Sequence, residues 1–175
     1  MFDPRKDNND IERMYFQDDG MIPNHPHLPV LLYKGVWHTD PVGAESRFNR
    51  NGWSNSWVNG VFDVHHYHSN AHEALAVISG FVKLIIGGEK GQKIVLESGD
   101  VVVLPAGTGH KRLKASPNFR ITGAYPGGMS YNTRTGEPGE RPQVLQEIRE
   151  VSIPDTDPVY GRGGPLTKLW LNRNN

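Results

Sequence analysis

The stretch Gly60–His110 concentrates the residues of this chain that can do metal chemistry. It holds His65, His66, His68, His72, Glu73 and His110, five of the eight histidines with a carboxylate among them. The run Val61-Phe62-Asp63-Val64-His65-His66-Tyr67 has the aromatic and β-branched content of a strand. Side chains two apart on a strand share a face, so His66 and His68 stand side by side while His65 and Tyr67 face the other way. After four intervening residues, Glu73-Ala74-Leu75-Ala76-Val77-Ile78 reads as a second strand. If the two form a hairpin, Glu73 folds back beside the imidazoles. Further on, Pro105-Ala106-Gly107-Thr108-Gly109 makes a turn and His110 opens the next strand. Three imidazoles and one carboxylate converging inside a β structure make a transition-metal site of nitrogen and oxygen ligands.

A lone histidine in a strand is more often packed or exposed than ligating, and a same-face pair raises the odds only modestly. The glycine and proline punctuation carries the inference further. Gly60 is followed by five residues, His66, one residue, His68, four residues, Glu73, six residues and Gly80. Then come Gly99, five residues, Pro105, one residue, Gly107, two residues and His110. These stretches resemble the two signature motifs of the cupin superfamily at nearly every motif position. One position departs: an asparagine often found four residues after the last histidine is Lys114 here. That asparagine is not a ligand in the family, so the metal inference stands. The resemblance implies an all-β fold, a double-stranded β-helix or jelly-roll barrel with short peripheral helices. In it His66, His68, Glu73 and His110 bind one divalent metal.

The elements that must position these residues can be read along the chain. Residues 1–20 are polar and read as a loosely held arm ending in an Asp18-Asp19-Gly20 turn. The prolines of Met21–Pro29 make that stretch extended. His25 and His27 repeat the ligand-pair spacing there, but nothing downstream completes a site, and surface exposure is the expectation. Val30–Val36 reads as the first strand. Asp40 and Pro41 make a helix start, with Asp40 as N-cap. Trp53 and Trp57 are expected to pack or to wall a pocket. Strands follow at Phe81–Ile86, Lys93–Leu96, Val101–Leu104, from His110, and at Phe119–Tyr125. Val144, Leu145, Ile148 and Val151 have helical spacing. Leu166, Leu169, Trp170 and Leu171 would anchor the tail to the barrel or to a second subunit. The expected organisation is one cupin domain over 1–175: an arm to about residue 27, a barrel over about 28–126, and a helix and tail over about 127–175.

Composition narrows the classes. At 175 residues the length suits one domain. Nineteen basic and nineteen acidic residues give no net charge, hence no electrostatic case for nucleic acid or an anionic membrane. Cysteine is absent, which removes disulfides and thiolate zinc sites. Hydrophobic content is 36% and mean hydropathy −0.56, and no apolar run approaches a membrane span. The start has no apolar core of a secretory signal. The expectation is a soluble, cytoplasmic protein, and a homodimer, since cupins commonly pair through terminal segments.

Four protein ligands around an octahedral metal leave two positions for water or substrate, open to a carboxylate, hydroxyketone or enediolate. The metal is one of Mn, Fe, Co, Ni, Cu or Zn, a choice the ligand set does not make. The leading expectation is a metal-dependent enzyme on a small oxygenated metabolite. The resemblance admits an oxygenase, an isomerase or a decarboxylase, and is strongest to single-domain cupins of no assigned reaction. The alternative is a non-enzymatic small-ligand-binding module whose metal is structural or anchors the ligand. Tyr125, Arg120, Tyr33 and His72 are the acid–base candidates, and packing is the simpler reading of each.

Overall fold

Short apolar runs bounded by glycine, proline and asparagine set the strands, and the computed structural model describes residues 10–171. The first nine residues of the expected arm lie outside the described residues. In chain order the strands are β1 (Glu12–Met14), β2 (Val30–Tyr33), β3 (Trp53–Asn59), β4 (Glu73–Ser79), β5 (Phe81–Ile86), β6 (Gln92–Glu97), β7 (Val101–Leu104), β8 (His110–Ala115), β9 (Arg120–Pro126), β10 (Thr156–Asp157) and β11 (Gly161–Arg162). The helices are α1 (Ala44–Arg50), α2 (Gln143–Glu150) and α3 (Pro165–Leu171). A six-stranded sheet, ordered β1-β2-β7-β4-β9-β3, faces a three-stranded sheet ordered β6-β5-β8, and every pairing is antiparallel. This is the all-β jelly roll, with short helices at its periphery.

Two apolar layers hold it together. Between the sheets, Leu32, Leu75, Val77, Val102, Leu104 and Ile121 of the large sheet meet Val82, Leu84, Ile86 and Leu96 of the small one. On the other side of the large sheet, Leu31, Tyr33, Ala74, Ala76, Val101 and Val103 pack with Ala44 and Phe48 of α1 and Leu166 and Trp170 of α3. The large sheet is thus covered on both faces, which is why Val101-Val102-Val103-Leu104 is apolar without alternation. A fully buried side chain of this kind contributes about 1.5–3 kcal/mol. The tail spends Leu166 and Trp170 in this layer, within the chain.

Several expectations are corrected. The 61–67 run is not a strand, and it forms no hairpin with β4. Both edges of β4 are taken, by β7 and β9, so 61–67 has no free edge there. It is held instead by isolated bridges, His66 to His110 and Tyr67 to Arg134. The expected arm contributes β1, paired to β2. Asp40 caps no helix amide; its carboxylate pairs with Arg47 of α1. His25 is buried, its Nδ1 accepting the N–H groups of His27 and Leu28 at 3.1 and 2.9 Å. No helix among the described residues is long and apolar enough to cross a membrane.

Candidate metal centre

At one end of the sandwich, Glu73 opens β4 from the large sheet and His110 opens β8 from the small one. The 61–68 segment crosses between them. His66 exchanges both backbone hydrogen bonds with His110, at 3.2 and 2.9 Å. The Gly107 N–H donates to the His68 carbonyl at 2.8 Å. Gly107 has φ +89°, and a Cβ there would lie 2.9 Å from the Asn24 carbonyl oxygen and 2.6 Å from Ile148 Cδ1. Only glycine takes that turn without strain, and the turn delivers His110.

One nitrogen from each of His66, His68 and His110 meets within 4.8 Å of the others, and all three residues are buried. Each ring has its Nδ1 against a backbone carbonyl: Val64 for His66 at 3.0 Å, Asn132 for His68 at 2.5 Å, Thr108 for His110 at 3.1 Å. A carbonyl only accepts, so each Nδ1 carries the proton and each Nε2 presents a lone pair. This arrangement fixes the tautomer of a ligating histidine. Glu73 closes the group, with Oε2 at 3.3 Å from His68 Nε2 and Oε1 at 3.3 Å from His110 Nε2. Oε1 makes no hydrogen bond, which leaves a buried carboxylate oxygen without a donor.

Glu73 is oriented from its other side. The Tyr125 hydroxyl donates to Glu73 Oε2 at 2.5 Å, and Trp57 Nε1–H donates to the same hydroxyl at 2.9 Å. Ala74 opposes Ala124 in the β4–β9 register, which sets Glu73 and Tyr125 side by side. Trp57 reaches Tyr125 by lying across Gly123, where a Cβ would come within 2.3 Å of its ring. Tyr131 stacks on Tyr125 with centroids 4.2 Å apart.

The electrostatics follow from burial and pairing. Burial, with the neighbouring His110, takes His66 down to about 3 and keeps it neutral. Burial opposes charge on His68, but the Glu73 carboxylate and the Asn132 carbonyl together outweigh it and raise that ring. Burial likewise opposes charge on Glu73, yet His68 and His110, when their Nε2 atoms carry a proton in place of a metal, hold it well below the usual carboxylate range by charge and N–H donation. Burial and the Glu73 charge both raise Tyr125, so its phenol stays protonated and acts as a donor. Converging lone pairs beside an ionised carboxylate with an orphaned oxygen are a set that a divalent cation satisfies.

The Cupin domain profile matches residues 57–115, the segment that holds all four of these side chains. The uncharacterized protein YjlB of Bacillus subtilis (strain 168) is 45% identical over 162 residues, covering 93% of this chain and 98% of that one. The chain belongs to the cupin superfamily. Solved structures similar to this cupin include WlaRA, a TDP-fucose-3,4-ketoisomerase from Campylobacter jejuni, at 15% identity and TM-score 0.39 over 46% of this chain and 63% of that one. Acireductone dioxygenase from Bacillus anthracis, with a cadmium ion in its active centre, is another, at 17% identity and TM-score 0.38 over 50% and 59%. This chain spans less than two thirds of either, and neither likeness bears on its reaction.

The four side chains singled out in the sequence of this cupin come together as described. The acid–base candidates divide. Tyr125 lines the cavity as a neutral phenol bound to Glu73. His72 lies outside it, buried against Trp170, with Nδ1 accepting the Ala106 N–H at 2.9 Å and Nε2 donating to the Ser152 carbonyl at 3.1 Å. Tyr33 donates to Asp157 at 2.7 Å on the far face of the large sheet, and Arg120 is exposed. His65 points away, accepting the Gly88 N–H at 3.1 Å. Sequence reading missed Tyr131, Phe62 and Asn132. Asn132 accepts from His68 and is itself locked to Ser69, its Oδ1 taking the Ser69 N–H at 2.9 Å. The polar loop that carries Tyr131 and Asn132 has no periodicity; its clustered Tyr and Asn after the last barrel strand were the only signal.

Proposed function

We propose that His66, His68, Glu73 and His110 hold one divalent transition metal (Mn, Fe, Co, Ni, Cu or Zn), and that the protein is a metal-dependent enzyme acting on a small oxygenated metabolite. The observation that carries this is the trio of buried imidazoles, each with Nδ1 tied to a carbonyl, beside a carboxylate oxygen that lacks a partner. When bound, such a metal supplies Lewis acidity, or dioxygen chemistry if it is redox-active. The residues do the rest. The three carbonyls hold the rings in one tautomer, and the Tyr125 hydroxyl holds the carboxylate aimed inward. Trp57, Leu75 and Tyr131 line a cavity of about 240 Å³ over the four side chains, which lowers the local polarity and strengthens every charge interaction there.

One observation favours the alternative, a non-enzymatic module in which the metal anchors a ligand or the fold. Among the described lining residues other than the four proposed ligands, the ionisable ones are Tyr125, committed to Glu73, and Tyr131. Titrating oxalate into the Co(II)- or Mn(II)-loaded protein tests the open coordination that catalysis needs. A saturable spectral change supports an open, ligand-binding metal, and binding without turnover of any candidate favours the ligand-anchoring module; indifference to oxalate, with metal loss causing only unfolding, supports the structural role. Cytoplasmic residence and a two-fold dimer belong to the same proposal. Fractionation tests the first, and light scattering the second, where a clean monomer would remove it.

A further inference from the structure

Three neutral imidazoles and one carboxylate around a divalent ion leave a single net positive charge. The cavity above them measures about 240 Å³. An apolar cavity of about 150 Å³ admits a benzene ring, so there is room for a chelating group and a body of roughly one ring. The walls around that body are Trp57, Val61, Phe62, Leu75 and Tyr131, with Asn59 and Thr133 as the neutral polar members. Among the described lining residues there is no lysine, arginine or aspartate. Arg112, two residues beyond His110 on β8, is not in the lining and stands 4.0 Å from Asp63.

Two rings flank the histidines at the mouth. Phe62, 64% exposed, meets His66 edge-on with centroids 5.1 Å apart. Tyr131, 39% exposed, meets His68 edge-on at the same separation. Large rings left open to water beside a buried polar cluster are surfaces suited to an apolar ligand body. A second anionic group carried into this space would be stripped of water with no cation to receive it, which is costly.

We infer that the site takes compact oxygen chelators with an apolar body of about one ring, and rejects ligands whose body carries a second anionic or phosphoryl group away from the metal. This rests on the metal reading above and adds the ligand class. The test is to titrate the Co(II)-loaded protein with three 2-oxo acids that share one chelating end: pyruvate, with no body; 4-methyl-2-oxopentanoate, with a branched apolar body; and 2-oxoglutarate, with a second carboxylate. The apolar acid is expected to bind about tenfold or more tighter than 2-oxoglutarate, with pyruvate between them. In Phe62→Ala and Tyr131→Ala the preference for the apolar acid over pyruvate should fall several-fold. It is read as a ratio of constants, so that cobalt content cancels.

Binding of 2-oxoglutarate as tight as that of the apolar acid overturns the inference, as does a response to oxalate with none to the three 2-oxo acids. In both cases the metal reading stands. No response to oxalate or to any 2-oxo acid overturns the open coordination on which the inference rests, and with it the enzyme reading. An undiminished preference in both variants overturns the assignment of Phe62 and Tyr131 as the recognition walls.

Discussion

Tyr125→Phe removes one oxygen atom, and two hydrogen bonds go with it. The first is the 2.5 Å bond to Glu73 Oε2, which is charge-assisted; such bonds contribute about 1.5–3 kcal/mol. The second is the 2.9 Å bond from Trp57 Nε1–H. Trp57 is half-buried, so water recovers part of that loss. Glu73 Oε1 already lacks a hydrogen bond, so the variant leaves the carboxylate buried with no donor on either oxygen. The metal-free protein should therefore lose about 2–3 kcal/mol in urea unfolding. Partners that orient a ligand typically change metal affinity about 10–100-fold, and a fall in that range is expected by chelator competition. Trp57→Phe keeps the Tyr125–Glu73 bond and should lose less on both readouts. Unchanged affinity and stability in Tyr125→Phe would refute the claim that this hydroxyl positions Glu73.

Bound metal should be released as pH falls. A ligating imidazole must be neutral, its unperturbed pKa is about 6.5, and bound metal holds off protonation below that value, so occupancy measured from neutral pH to about 4 should drop. Full retention at the acid end would argue against histidine ligands. Asp157→Ala strips the partner from the Tyr33 hydroxyl and from the Val159, Tyr160 and Leu166 amides, and should cost about 3 kcal/mol or more in urea unfolding; a cost below about 1 kcal/mol would show these donors to be satisfied elsewhere. Gly123→Ala puts a Cβ 2.3 Å from the Trp57 ring, which should destabilise by about 1–3 kcal/mol and shift tryptophan fluorescence. An unchanged spectrum would mean that the ring does not depend on the glycine.

The four side chains proposed as metal ligands were legible through glycine and proline punctuation that resembles the family's motifs, and in part because local rules set their positions. A two-residue spacing fixes a shared face, and a glycine with positive φ fixes a turn; neither needs knowledge of a distant partner. The hairpin expected between 61–67 and β4 failed for the opposite reason. Strand content is local, but which edge a strand takes is decided by the whole sheet, and β7 and β9 already held both edges of β4. His25 looked exposed because its proline-flanked neighbours read as surface, while the cost of burying it is offset by two backbone donors that sequence does not reveal. Tyr131 and Asn132 reach the site from more than sixty positions beyond His66 and His68 in a loop without periodicity, and are held there by the Tyr67–Arg134 bridge and by Ser69. The tail gave its apolar residues plainly, but not whether they would cover this chain or another.

Elemental analysis of the purified protein and three alanine variants tests the central claim most directly. The account predicts about one transition-metal ion per chain in the wild type. His66→Ala and His110→Ala should lose most of it. His65→Ala should keep it, because that ring points away and bonds to Gly88 and Glu89. Equal loss in His65→Ala and His66→Ala, or retention in all three, would contradict it.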